Sequence, residues 1–360
     1  MNYKLISSYH ANAVFIFSFS FLIILGGVFG SPAFALPQKP LFEIEFGNNS
    51  PEKLGKKPKE DEIKEYDKYY CPAAFCVFEN MDLILVLDSI NNRVCRYNVK
   101  GEFLGEFKLS SSGHPIDFAW VPSTGTAFFI FQDTSEMNVL NVDFKTGKNS
   151  GALKTFNILE AAGKKDCKDF DVRKIWPANV SDTAENCFVL NINSDFGANL
   201  AFSYKNGALF KMKDIGEAFV LPAAMPQKTF LFGVCSDETG AKILLQNIYT
   251  GETSSVSVSA DLTMQKGFGA KKIRPAGSDL NNNLYLEAGF GETEDAITQN
   301  FIYKFDANGR FLGRSEIFIS PGMLSNRFIA IDSGGGIFYM KKDAENDKFQ
   351  FYKFEIVETK

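Results

Sequence analysis

Few residues of this 360-residue sequence are of a type to do chemistry by themselves. It has two histidines, His10 and His114, and His10 falls in an N-terminal segment expected to be removed. One remaining imidazole excludes a multi-histidine zinc or iron site and leaves no second histidine for a proton shuttle. There is no Gly-x-Ser-x-Gly elbow and no phosphate-binding P-loop, and Gly289/Gly291 and Gly334 to Gly336 read as turns. What recurs is charge ahead of short apolar runs: His114, Arg173, Lys174, Lys271, Lys272, Arg274 and Arg327, with Asp117 and Asp171 as the nearest carboxylates. Cations gathered at one mouth would create a field that draws anions. Other carboxylates stand in a second class of turn, at Asp133, Glu136, Asp195, Asp237, Glu238, Glu292, Glu294 and Asp295. The last three share the loop 289–299 and offer oxygen ligands suited to Ca²⁺, without the alternating Asp pattern of a dedicated calcium loop.

The elements that must position these groups are short strands. Residues 70–109 show the unit: apolar runs at 74–78, 83–87, 94–97 and 103–109, separated by polar or glycine-containing breaks too short for a crossover helix. Neighbouring runs therefore pair as antiparallel hairpins in a four-stranded meander. The unit recurs with first strands starting near residues 74, 116, 171, 218, 274 and 328, intervals of roughly 42 to 56 residues that mark a repeat array. Aromatic residues make up 14%, with 37 phenylalanines, as suits strands and the space between stacked sheets. A short helix is expected between units near residues 158–164, and another helical turn at 60–66.

Within the first unit, Asp88-Ser-Ile-Asn-Asn92-Arg93-Val94, followed by Lys100-Gly101-Glu102-Phe103-Leu104, resembles the NHL repeat, a blade of β-propellers. Pro72 supplies the proline that leads the first strand in that family. Asp88, Asn92 and Arg93 are read as structural: the short polar side chains close the turn and the guanidinium ties it to a neighbour. The resemblance implies a ligand face built by the segments entering each first strand. On that face the candidate ligand-binding residues are His114, Asp117, Arg173, Lys272, Arg274 and Arg327.

The fold expected is thus all-β, a six-bladed β-propeller of four-stranded antiparallel blades. The last unit has three strands, and residues 41–46 alternate apolar and acidic side chains, so this N-terminal strand is available to close the ring. Residues 48–69 are highly charged and read as a solvated linker. The division is then 1–35 signal peptide, 36–70 closing strand and charged linker, and 71–360 propeller.

Lys4, the apolar run 13–30 and Ala33-Phe34-Ala35 describe a secretory signal cleaved after Ala35, with an uncleaved anchor as the alternative. Cleavage removes one of 38 basic residues and none of 43 acidic ones, taking the formal net charge from −5 to −6. An acidic balance argues against a nucleic-acid surface. Export, to the medium or a periplasm, makes disulfides permissible. The six cysteines, at 71, 76, 95, 167, 187 and 235, are not paired by their spacing. Cys76 and Cys95 fall on the first and third strands of one unit, roughly 9.5 Å apart and beyond disulfide reach.

Together these readings lead to a monomeric, exported, non-catalytic propeller that binds a protein, peptide or glycan through its loop face. No cofactor and no stable membrane span are expected. The alternative is a metal-dependent propeller hydrolase or lyase, similar to the lactonase or amidating-lyase branches.

Overall fold

The computed structural model describes residues 39–47, 50–55, 72–109, 113–131, 134–149, 151–163, 171–178, 186–193, 199–216, 223–224, 230–237, 240–247, 250, 252–258, 270–291, 297–318, 327–343, 346 and 348–358. Strand β1 (Phe42–Glu45) buries Phe42 and Ile44 and exposes Glu43 and Glu45, following the period of two in its sequence. The first meander then runs through β2 (Ala74–Phe78), β3 (Leu83–Asp88), β4 (Arg93–Tyr97) and β5 (Phe103–Lys108).

Its β3–β4 turn shows why the Asp-x-x-x-Asn-Arg spacing matters. Asn92 takes φ 54°, a left-handed conformation that asparagine tolerates. The Asp88 carboxylate accepts hydrogen bonds from Asn91 Nδ2 at 2.8 Å and Arg93 Nε at 2.9 Å. Arg93 also donates to Glu106 and to the Lys53 carbonyl, while Gly55 N donates to Asp88 Oδ2 at 3.1 Å. The turn therefore clamps the segment that follows β1. Leu54 is fully buried and Tyr97 Oη donates to the Glu52 carbonyl at 3.2 Å. Leu54 and Gly55 are consequently packed, which corrects the expectation of a solvated linker there, while Pro51 and Glu52 are exposed. The proposed helical turn at 60–66 lies outside the described residues.

Further meanders follow in chain order. The second holds β6 (Pro115–Val121), β7 (Thr126–Phe131) and β8 (Glu136–Asp143), flanked by the short β9 (Lys148–Asn149) and by β10 (Lys154–Asn157). Helix α1 (Ile158–Ala161), capped by the Asn157 side chain, links it to the next and ends earlier than the sequence suggested. The third is β11 (Asp171–Ala178), β12 (Asn186–Asn193), β13 (Asn199–Lys205) and β14 (Ala208–Gly216). The fourth is β15 (Ala223–Ala224), β16 (Phe230–Asp237), β17 (Gly240–Asn247) and β18 (Thr253–Ser257). The fifth is β19 (Ala270–Ser278), β20 (Leu284–Gly291), β21 (Ile297–Phe305) and β22 (Phe311–Ile317). The last is β23 (Ile329–Ile331), β24 (Ile337–Asp343) and β25 (Lys348–Phe354), with β1 antiparallel to β25 as its outermost strand.

These antiparallel meanders are the four-stranded blades of an all-β propeller. First strands of successive sheets touch one another, β2 to β6, β6 to β11, β11 to β15, β15 to β19 and β19 to β23, and β23 also touches β2. Hydrophobic clusters fill the spaces between faces. Phe118 and Phe129 pack with Leu85 and Leu87 between the first two sheets, and Phe128, Phe188 and Phe202 pack between the second and third. Phe338, Phe349 and Phe351 of the last sheet meet Phe75, Ile84 and Tyr97 of the first, with Phe42 stacked on Phe351 at 4.6 Å. The phenylalanine-rich composition thus supplies the inter-sheet filling. Among the described residues no helix is long and apolar enough to cross a membrane.

Candidate functional site

Where β2, β11, β19 and the segment entering β23 approach one another, a cavity of about 410 Å³ opens. That is enough for a small ligand or the end of a larger one. Its walls include Phe78, Trp176, Pro275 and Phe328, and three cations, Lys174, Arg274 and Arg327, line it together.

Arg327 is fixed first by backbone: its N–H donates to the Ala73 carbonyl at 3.1 Å, and it forms a parallel bridge with Ala74. Its guanidinium then reaches residues of three other sheets. Nη2 donates to Asp117 Oδ2 at 2.9 Å and to the Ile175 carbonyl at 2.6 Å, and Nη1 lies 3.4 Å from Cys76 Sγ. Asp117 sits at a register shift in β6, is fully buried, and also accepts from the backbone N–H groups of Ile175 and Phe118 at 3.1 and 2.9 Å. One ion pair thereby ties together the first, second, third and last sheets.

Arg274 of β19 stands opposite Glu287 of β20 in register and donates through Nε to Glu287 Oε2. Its guanidinium carbon lies 4.9 Å from the centre of the Phe328 ring. Nη1 and Nη2 have no hydrogen-bonding partner among the described residues.

Lys174 differs from both arginines. Among the described residues its ammonium has no carboxylate partner, and its close contact is the Trp176 ring, 5.8 Å from Nζ to the centroid. Burial, and next the neighbouring Arg274, lower its pKa to about 7. The thiol of Cys76, also on the cavity wall, is pushed the other way by burial and stays protonated. The site therefore presents an amine near its neutral point beside a partly engaged guanidinium, within largely apolar walls.

The residues singled out from sequence separate into distinct groups. Arg274 and Arg327 are brought to one cavity. Asp117 reaches it only through Arg327, since its carboxylate is enclosed. His114 and Arg173 are exposed and do not line the cavity, and Lys272's side chain lies outside what is described. Lys174 was visible among the entering cations but was passed over for its neighbour Arg173, which the structure leaves off the cavity. A register shift in β11 between Val172 and Lys174 separates the two, leaving Arg173 exposed and Lys174 on the cavity wall. Glu287 was missed, though a lone carboxylate in the buried run LYLEAGFG implies a cation opposite it.

Residues 289–291 and 297–299 of the expected acidic loop are not loop or turn but the paired ends of β20 and β21; residues 292–296 lie outside the described residues, as do Cys71 and Cys167 and the side chains of Cys187 and Cys235. Cys76 and Cys95 are free thiols. Among the described residues no three His, Cys, Asp or Glu side chains converge in a way that would hold a metal ion.

No family model matches the chain, and no curated protein matches it in sequence. Among solved structures it is similar to Kuenenia stuttgartiensis hydrazine synthase, with a TM-score of 0.46 and 10% identity over 79% of this chain and 80% of that one. A streptogramin B lyase aligns with a TM-score of 0.44 and 11% identity, covering 87% of this chain and 98% of the other. A TolB protein from Agrobacterium tumefaciens gives 0.46 and 12%, over 80% and 93% of the two chains.

Proposed function

We propose that this protein is an exported, NHL-like binding propeller that receives an anionic group, borne by a protein, peptide or glycan, in the cavity between its first strands. In this reading the six sheets are blades of one ring, and β1 completes the last blade, so that a single monomer carries the whole site. The observation that carries the proposal is the pairing of Lys174 Nζ with the terminal nitrogens of Arg274 on one 410 Å³ cavity, neither satisfied by the described residues. Donors held within apolar walls interact with a carboxylate, sulfate or phosphate more strongly than donors in water do. Trp176 and Phe328 add flat apolar surface against which a peptide or sugar ring can lie.

The test uses Trp176 as reporter in a Trp120→Phe background. A short glutamate peptide or an oligogalacturonate should change its fluorescence saturably, with affinity falling as salt rises. Lys174→Met removes a charge without orphaning a described partner and should weaken binding about tenfold or more. A saturable response indifferent to salt and to Lys174→Met would overturn the reading.

A further inference from the structure

A lysine that pairs with a carboxylate keeps its proton and its lone pair is occupied. Lys174 is placed otherwise. The groups facing it are Arg274 of β19, Glu287 of β20, Arg327 at the entry to β23, Asp117 of β6 and, on the same cavity, Cys76 of β2. Both carboxylates are committed elsewhere, Asp117 to Arg327 and two backbone N–H groups, Glu287 to Arg274. The amine is left among cations and aromatic surface, the surroundings that make a lysine nucleophilic near neutral pH.

We propose that Lys174 captures small anionic carbonyl compounds, aldehydes or 2-oxo acids, as a reversible imine, with the terminal nitrogens of Arg274 holding their carboxylate or phosphate. This rests on the reading that the cavity accepts an anion and adds the chemical class of ligand. The neutral Nζ adds its lone pair to the carbonyl carbon, the C=O π pair moves to oxygen, and that oxygen takes up a proton. The nitrogen passes one of its two protons to the hydroxyl, which leaves as water as the freed nitrogen lone pair forms the C=N bond. The products are a protonated imine and one water, and readdition of water restores the amine and the carbonyl compound. No oxidant or reductant takes part. The cavity's volume suits such a ligand, and Trp176 and Phe328 line the same cavity as Lys174.

The experiment treats the full mature chain with glyoxylate and traps imines with cyanoborohydride, then locates the adduct by peptide mass. Labelling should concentrate on Lys174, rise with a midpoint near pH 7, and exceed that of exposed lysines by about tenfold or more, since their amines stay protonated. Lys174→Arg keeps a cation but no free amine and should abolish the specific label while leaving thermal unfolding intact. Acetate, which has no reactive carbonyl, separates the two proposals. If it alters Trp176 fluorescence while glyoxylate labels lysines at random, the imine is ruled out and anion binding stands. If neither molecule engages the cavity, both proposals fall.

Discussion

Arg327 Nη2 and Asp117 Oδ2 lie 2.9 Å apart although 210 residues separate them in the chain. The contact joins the entry of the last sheet to the first strand of the second, and the same guanidinium reaches the Ile175 carbonyl and Cys76 Sγ. A carboxylate with 0% exposure depends on its cation, because removing one partner of a buried pair leaves an uncompensated charge. Arg327→Ala should therefore lower stability by about 3–5 kcal/mol in urea unfolding. Asp117→Asn, which retains an acceptor for Ile175 N, should cost less. Equal and small losses from both variants would mean that the pair does not tie the sheets together.

The edge strand offers a second check. β1 registers Phe42 with Phe351 and Ile44 with Phe349, and Lys348 bonds Glu43 across the pair. Deleting residues 36–48 should lower the melting temperature and promote association through the bared edge of β25. Phe42→Ala alone should cost about 3 kcal/mol, because it empties the space between the first and last sheets. An unchanged melting curve and a monomeric deletion product would show that β1 contributes nothing to the stability of the last sheet.

Asp332 supplies a pH dependence. Its Oδ1 accepts from Gly334 N and Gly336 N at 2.8 and 2.7 Å, while Oδ2 is buried and finds no donor unless a proton is shared with the Glu79 carboxyl. Burial, and next Glu79, raise its pKa to about 6, whereas Glu79, which also bonds Lys353, is lowered. The folded protein thus holds the Asp332 proton more tightly than the unfolded chain. Its stabilising contribution is full below about pH 4 and is lost as pH rises through about 6. Asp332→Asn keeps the Oδ1 acceptor and supplies a permanent donor to Glu79. The wild type should lose on the order of 2 kcal/mol relative to Asp332→Asn between about pH 4 and 7. A stability difference flat across that range would contradict the shared proton.

The meanders were legible in the sequence because each strand is short and bounded by turn residues. The Asp88–Arg93 turn does in the structure what its residue types imply, down to the guanidinium holding a neighbouring segment. Strand limits were less legible where pairing rather than pattern decides them. β19 begins at Ala270, ahead of its apolar run, because Ala270 pairs with Phe290 across a register shift. The extra strand β9 exists because Val142 and Asp143 extend β8 far enough to pair with Asn149 and Lys148. The site was half legible. Cations entering first strands are visible as letters, but which are neutralised depends on partners in other sheets. Nothing near residue 327 predicts Asp117, and only the register shift in β11 between Val172 and Lys174 distinguishes Lys174 from Arg173.

Calorimetric titration of residues 36–360 with a short glutamate peptide at pH 8, in two buffers of different ionisation enthalpy, tests most directly whether Lys174 and Arg274 form an anion site. At that pH the free Lys174 amine is largely neutral, and an incoming carboxylate favours its charged form. The account predicts binding that weakens markedly from about 0.05 to about 0.5 M salt and takes up close to one proton per ligand, with the proton uptake lost in Lys174→Met. No binding heat, or binding with no proton uptake and the same affinity in Lys174→Met, would contradict it.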